Sequence, residues 1–482
     1  MAIDQIEEVI KPMEPTILGS QLYYELLPTD LLIGLSVETL HVIPGPLETS
    51  GFLDALSKTL SVYPLSAGRF EPSSEPRGKW KIRLTNSGVP LKFLTSNADQ
   101  IMPDNRVIQN QGVASLVEKV NVTKILRPYN DEPLARFTII YFVKIGYTAI
   151  GFSQYHPLGD GYTVIKFLRH LSQNYQRLPE LDPPPSYDPP YSPTSPYLYG
   201  YSSPKYPRDT LTTYNLDFPI IDGGIPPLKG NRNEEASHVV IHFNAKMIEN
   251  VHKAVLRLAE ADKGDNVGNM VFSKQDTLIA LLVRAFTISD PDNAISDIVT
   301  LFMFRGIGAT LPTAACNALL CALTDPPSCD PMDEPIESVA TRIRLALQRM
   351  RDPEFLEAYA AKVRDQMQNI SDANIDWDLT PQRGQMFVNS TWRFDWTSPH
   401  FGYPSQTQFF HTILQKPRYL KIVQPNPTRL ADGSWKTYNG DAEVTFSLLK
   451  NRTGQFDEAL HGELKALGIE EQPEIVYADI VV

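Results

Sequence analysis

The chain has 482 residues, of which 42% are apolar and 21% charged, with a formal net charge of −12. That length allows about two domains at roughly 100–200 residues each, and the apolar share excludes a disordered segment. No Lys/Arg run stands out, which excludes a nucleic-acid groove, because backbone binding needs clustered cations.

The opening "MAIDQIEEVIK" carries acids and no apolar core segment, unlike a secretory leader. "ELLPTDLLIGL" follows. "SGFLDALSKTLSVYPLSAGRF" predicts a helix with Ser50 as its N-cap, since Phe52, Leu53, Ala55, Leu56, Leu60 and Val62 recur at helical spacing. Pro64 ends it and Gly68 turns the chain. "KWKIRLTN" alternates as a strand does. "LARFTIIYFVKIGYTAIGFSQY" reads as a hairpin broken at Ile145-Gly146. Its longest apolar run, "FTIIYFV", is far short of a membrane span. "TVIKFLRHLSQNYQRL" is helical, with Val164, Phe167, Leu168 and Leu171 on one face.

The chain has 40 prolines, and about a third of them fall between Leu178 and Leu228, in a stretch also rich in tyrosine. Proline removes backbone donors and fixes φ, so this stretch is neither helix nor central strand. It reads as a crossover over residues 178–232, between an N-terminal domain over 1–177 and a C-terminal domain over 233–482. A partner-docking segment is the sharper alternative, without a repeated PxxP register to support it.

Beyond the crossover, "HVVIHFNA" alternates as a strand and "AKMIENVHKAVLRLAEA" is helical. "SKQDTLIALLVRAFTI" is a helix whose Ser273 and Asp276 fit a capping box. "DIVTLFMFRGIGA" is a buried-strand type of run. Cys316, Cys321 and Cys329 show no zinc spacing, and their odd count argues against a disulfide framework. Together with the lack of a leader, this leads to the expectation of a cytoplasmic monomer. "PIESVATRIRLALQRMRDPEFLEAYAAKVRDQMQ" gives one or two amphipathic helices. "RGQMFVNSTWRFDW", "TQFFHTILQ", "YLKIVQPN" and "EVTFSLLK" read as strands, and "GQFDEALHGELKAL" as a last helix. Each half thus reads as a mixed sheet flanked by helices, an α/β fold of two similar domains.

The chemistry concentrates in "SQYHPLGDGYTV", residues 153–164. Imidazole titrates near neutrality, so His156 can take a proton and return it. It stands where a buried strand leaves its sheet, a rigid support for a reacting group. Pro157 stiffens the exit. Gly161 leaves room for a thin ligand arm to approach the backbone. Asp160 could orient the imidazole, or turn away and pair with an arginine that fixes the loop. Four residues in a tight loop favour the second, with Arg305 as the candidate partner. Taken alone, His156 could equally be a satisfied histidine in a turn.

"HPLGDG" fits HxxxDG. With "LSKTLSVYPLSAGRF" before it, and "SKQDTLIALLVRA", "TLFMFRGIGATLPTAACNALL" and "VNSTWRFDWTSPHFGYP" after it in order, the chain resembles the BAHD acyltransferases over nearly its whole length. These enzymes move acyl groups from coenzyme A to alcohols or amines. The fungal branch, which includes trichothecene acetyltransferases, is the more similar. The resemblance implies a chloramphenicol-acetyltransferase-like fold, acyl-CoA as co-substrate and no permanently bound cofactor or metal. It implies that His156 is the general base, that Asp160 is the structural partner of Arg305, and that the indole N–H of Trp392 faces the oxyanion.

One motif departs from the family. His400-Phe401-Gly402-Tyr403-Pro404 stands where DFGWG is expected, keeping Phe401 and a structural Gly402. Lys416, Arg418 and Lys421 are the nearest cations that could meet the coenzyme phosphates; a solvated strand end is the plainer reading. Ser273 lies at a helix start, where N–H groups favour anions, although Asp276 would oppose a phosphate.

The expected function is acyl transfer from acyl-CoA to a hydroxyl or amine of a small specialised metabolite, without a covalent intermediate. No G-x-S-x-G elbow and no Cys beside a His appears. An acyl carrier protein is the alternative donor. The related condensation domains carry HHxxxDG, however, and Tyr155 occupies the place of the first histidine. A non-catalytic small-molecule-binding relative is the third reading.

Overall fold

The computed structural model describes residues 2–479 except 16–21, 72–79, 100, 102–111, 128–129, 180, 188–204, 207–210, 212–219, 222–235, 262–270, 309, 373–375, 378–380 and 413–415. Most of the crossover read at 178–232 therefore lies outside the described residues.

In the first half, strands β1 (Ala2–Ile10), β2 (Ser36–Ile43), β3 (Val89–Ser96), β4 (Ala135–Phe142) and β5 (Tyr147–Tyr155) form one sheet in the order β1-β3-β4-β5-β2. β3 and β4 run parallel and the other neighbours antiparallel. The expected hairpin is β4–β5, and Gly146 in its turn has φ +68°, a conformation that glycine adopts without a Cβ penalty. β5 is buried along almost its whole length, its polar Thr148, Ser153 and Gln154 included. Helices α1 (Thr49–Val62) and α2 (Gly161–Tyr175) pack together against the sheet. Phe152 links them to it, 4.6 Å from the Phe137 ring and 5.3 Å from Phe167.

The α1 cap differs from expectation. Glu48, not Ser50, is the N-cap, and its carboxylate accepts from the backbone N–H groups of Ser50 and Gly51. A carboxylate satisfies those donors and also meets the positive end of the helix dipole. The strand read over "KWKIRLTN" is shorter, Lys81–Arg83.

In the second half the main strands are β6 (Ala236–Phe243), β7 (Asp297–Met303), β8 (Leu319–Leu323), β9 (Gln385–Ser390), β10 (Gln408–His411), β11 (Tyr419–Val423), β12 (Ala442–Leu449) and β13 (Glu474–Asp479). Seven of them make a mixed sheet in the order β8-β7-β9-β11-β12-β6-β13. The exception is β10, which crosses to the first sheet and pairs antiparallel with β2, Phe410 opposite Leu40. This strand fastens the two halves together. The helices are α3 (Ala245–Ala261), α4 (Lys274–Ser289), α5 (Ile336–Arg349), α6 (Pro353–Asp372) and α7 (Thr453–Ala466). The long amphipathic stretch is thus two helices, α5 and α6. Among the described residues no helix is long and apolar enough to cross a membrane.

Alternation along β11 separates two environments. Leu420 and Ile422 enter the core that includes Leu281 of α4 and Leu460 of α7. Tyr419 and Val423 enter the core shared with the first half. Successive strand residues point to opposite faces, so Lys421 lies on the side of Tyr419 and Val423, toward the junction of the halves.

Candidate active site

His156 follows β5 directly and opens a single 3-10 turn, His156–Leu158, with Pro157 at its start. Three backbone bonds fix it. Its N–H donates to the Leu35 carbonyl at 2.9 Å, and its own carbonyl accepts from the Gly159 N–H at 2.9 Å and from Asn317 Nδ2 at 3.0 Å. Asn317 Nδ2 also donates to the Asp30 carbonyl at 3.0 Å, so one buried amide ties three segments together. Gly159 has φ +152°, and a Cβ there would fall 2.5 Å from the Thr163 side chain. The turn can close only with glycine at that position.

Asp160 turns away from the imidazole. As N-cap of α2, its Oδ1 accepts from the Tyr162 and Thr163 N–H groups at 3.1 Å each. Its Oδ2 accepts from Arg305 Nη1 at 2.6 Å and from the Ala318 N–H at 3.2 Å. Arg305 is saturated in turn: Nε donates to the Ala314 carbonyl at 2.8 Å and Nη2 to Thr163 Oγ1 at 2.9 Å. Both side chains are nearly sealed, at 1% and 3% exposure. A buried carboxylate and guanidinium with this many partners form a lock rather than a proton relay.

The ring of His156 is the component not consumed by this scaffold. Its Nδ1 and Asn317 Oδ1 are both buried without a hydrogen-bond partner. Burial lowers the imidazole below its usual value. Lys421 lowers it further, while Asp160 and Asn317 partly oppose the shift. The ring is therefore neutral at pH 7, the form in which it can accept a proton. Two more groups face it. His411 on β10 is pushed down to about 3 by burial, then by the charges of Lys421 and His156. Lys421 is pushed down to about 8 by burial. Asp30, capping the Leu27 N–H at 2.8 Å, is raised by burial to about 7.

Several expected residues have other places. Trp392 lies just past the end of β9, and its indole N–H donates to the Asp441 carbonyl at 2.7 Å, so that donor is already committed away from an oxyanion. Gly161 makes room for a ring rather than a ligand arm: a Cβ there would lie 3.2 Å from Trp396. Ser273 is the N-cap of α4, and its hydroxyl accepts the Asp276 N–H at 3.3 Å. Asp276 returns a bond to the Ser273 N–H and pairs with Arg344, which leaves a carboxylate where a phosphate would have to sit.

Arg418 is half-buried and faces Asp290 and Arg383 at the start of β11. Lys416 is half-buried and engaged. Lys421 is not at a solvated strand end; it is 8% exposed and close enough to His156 for their charges to repel. Gly402 has φ +97° in open space, and Phe401 before it packs on Phe52 at 6.0 Å. The HFGYP turn is thus anchored by its aromatic residue.

Asp30, Asn317 and His411 were not singled out in the sequence. Asp30 and Asn317 sit in segments quoted only as family landmarks, and nothing in the spacing of His411 foretells a strand that changes sheets. A polar cleft of about 650 Å³ is lined in part by Arg169, Phe394, Trp396, His400 and Asn439, and His156 is not among its lining residues. Among the described residues no His/Cys/Asp/Glu cluster is placed to hold a metal ion.

A family model described as the transferase family matches residues 5–418. No curated protein sequence matches the chain. Among solved structures, vinorine synthase is 16% identical with a TM-score of 0.61, covering 94% of this chain and 96% of its own. The F. sporotrichioides protein TRI101, solved with coenzyme A and T-2, is 13% identical with a TM-score of 0.60, covering 91% and 97%. TRI101 of F. graminearum, solved with coenzyme A and T-2 mycotoxin, is 14% identical with a TM-score of 0.60, covering 94% and 100%. At these identities the likeness is one of fold.

Proposed function

Because this chain belongs to the transferase family, the BAHD acyltransferases, we propose that it moves an acyl group from acyl-CoA to a hydroxyl or amine of a small specialised metabolite, with His156 as general base. The observation that carries the reading is the division of labour in HPLGDG: Asp160 is spent on Arg305, and His156 keeps a neutral imidazole at the junction of the halves.

The acceptor hydroxyl gives its proton to Nε2 of His156, since Nδ1 is sealed. Its oxygen attacks the thioester carbonyl carbon. The tetrahedral intermediate collapses with loss of the coenzyme A thiolate, which takes the proton back from the imidazolium. No covalent enzyme intermediate forms, and general base action of this kind is worth about 10²–10⁴ in rate. That two relatives of the same fold were solved with coenzyme A supports the choice of donor. Tyr155, in the place of a carrier-dependent enzyme's first histidine, is 2% exposed against Phe70, which favours coenzyme A over a carrier protein. We place the enzyme in the cytoplasm as a monomer, in keeping with its three free cysteines.

The test is to incubate the purified protein with acyl-CoAs of several chain lengths and a panel of alcohols and amines, following thiol release. Turnover with at least one pair is expected. Binding of coenzyme A without turnover of any pair would contradict the proposal.

A further inference from the structure

We propose that residues 181–187 of the crossover form a strap that positions the catalytic turn, with Ser186 as its positioning residue. The backbone of Ser186 grips the loop that seats Arg305, Asp160 and the turn of His156. The inference rests on the acyl-transfer reading and deepens it, by naming what keeps the base in place.

β7 and β8 are antiparallel neighbours, and residues 313–318 lead into β8. This stretch supplies much of what the Asp160–Arg305 lock needs. The Ala314 carbonyl accepts from Arg305 Nε at 2.8 Å and the Cys316 carbonyl from Arg305 Nη2 at 2.5 Å. The Ala318 N–H donates to Asp160, and Asn317 Nδ2 to the His156 carbonyl. Backbone groups of successive residues in a bridged segment alternate in direction. The carbonyls of Ala314 and Cys316 face Arg305, so the Thr313 carbonyl and the Ala315 N–H face the other way.

The crossover lies on that other side. The Ser186 N–H donates to the Thr313 carbonyl at 2.9 Å, and the Ser186 carbonyl accepts from the Ala315 N–H at 2.8 Å, a parallel bridge centred on Ala314. Ser186 and Arg305 thus hold the same short segment from opposite sides. The strap is anchored at both ends. At one end, the Asp182 N–H donates to Gln173 Oε1 at 3.2 Å, its carbonyl accepts from His170 Nε2 at 2.8 Å, and its carboxylate accepts from Arg169 Nη2 at 3.1 Å. At the other, Tyr187 Oη donates to the Val62 carbonyl at 3.2 Å, and its ring meets Tyr24 edge-on at 6.4 Å. Pro183, Pro184 and Pro185 fix φ between the anchors and keep that span stiff.

A stiff span fixed to α1 and α2 sets the position of residues 313–316, and from there the contacts run in two lines. One passes through Arg305 to Asp160 and the start of α2. The other passes through Asn317 to the His156 carbonyl at 3.0 Å. Without the bridge, Arg305 holds the loop from one side alone. The loop then shifts, and a base that is slightly misplaced loses its alignment with the proton it must take. Ser186 therefore acts on rate through His156, not by touching substrate.

The experiment compares wild type with Ser186→Pro, which removes the N–H given to Thr313, and with Ser186→Thr, which keeps both that N–H and a hydroxyl. Each is first checked for a cooperative melt. Hydrogen exchange read by mass spectrometry should rise about 3–10-fold over residues 310–318 and 156–163 in Ser186→Pro and stay unchanged over α4. Thiol release from acyl-CoA should show kcat about 10-fold lower, with KM for both substrates within about twofold. Ser186→Thr should match wild type in both measurements. A folded Ser186→Pro protein with wild-type exchange over 156–163, with wild-type kcat, or with a loss carried by KM alone would overturn the proposal. If Ser186→Pro does not fold, Tyr187→Ala loosens the anchor instead of the bridge and is judged by the same two measurements. The exchange arm needs no turnover, so failure of the acyl-transfer reading is separable from failure of this one.

Discussion

Arg305 Nη1 donates to Asp160 Oδ2 at 2.6 Å, joining residues 145 positions apart and belonging to different halves of the chain. The contact fixes the start of α2 and, through it, the turn that presents His156. Removing one partner leaves the other buried and charged, a loss of about 3–5 kcal/mol in such pairs. Asp160→Ala also deletes the N-cap of α2, worth about 1 kcal/mol. Urea denaturation should show both losses, and Asp160→Ala should lose activity in step with its folded fraction. Full stability in the variant would show that the pair is not a lock.

The tight turn makes a second demand. Gly159→Ala would put a Cβ 2.5 Å from Thr163 at a φ of +152°. Both strain and overlap act together, so we expect a destabilisation of about 2–4 kcal/mol by thermal or urea melts. Gly159→Ala combined with Thr163→Ser relieves part of the overlap and should recover part of the loss. No recovery would place the cost elsewhere.

Histidines that desolvation lowers set the acid side of stability. Burial holds His41 and His238 at about 4 and His411 at about 3, and it also lowers His156 and His170. Each is neutral in the fold at pH 7. Below about 6.5 the unfolded chain binds protons that the fold refuses, so stability is present above that pH and declines as pH falls toward 4. Each histidine contributes up to about 1.4 kcal/mol per pH unit in that window. Asp30, raised to about 7, works in the opposite direction with a single proton. Urea midpoints should therefore drop between pH 7 and pH 5. A flat profile over that range would contradict the burial of these rings.

The same charges shape the rate profile. His156 lies below its usual value, with Lys421 contributing to the shift. The acid limb of kcat/KM should fall below pH 6.5. In Lys421→Met it should move upward, because one repelling charge is gone. An unmoved limb would place Lys421 out of electrical reach of the base.

Trp392 illustrates how far the sequence carries. Its type and its place before the HFGYP turn were readable, but the strand ends at Ser390, and the indole donor is satisfied by Asp441 from β12's approach. Hydrogen-bond direction is a tertiary fact with no periodic signature. The lock was legible because loop length alone kept Asp160 off His156, and a buried-type strand supplied an arginine. Helix α4 and its capping box were legible for the same local reason. β10 was not, since an apolar strand does not record which sheet it joins. Lys421 was read as a solvated end because its strand neighbours on β9 and β12 are distant in sequence.

The role of His156 is tested most directly by thiol release from acetyl-CoA with the best acceptor found, comparing wild type with His156→Ala at pH 7.5. The account predicts a fall in kcat of about 10²–10⁴ with the melting temperature nearly unchanged. A folded His156→Ala enzyme releasing thiol at the wild-type rate would contradict it.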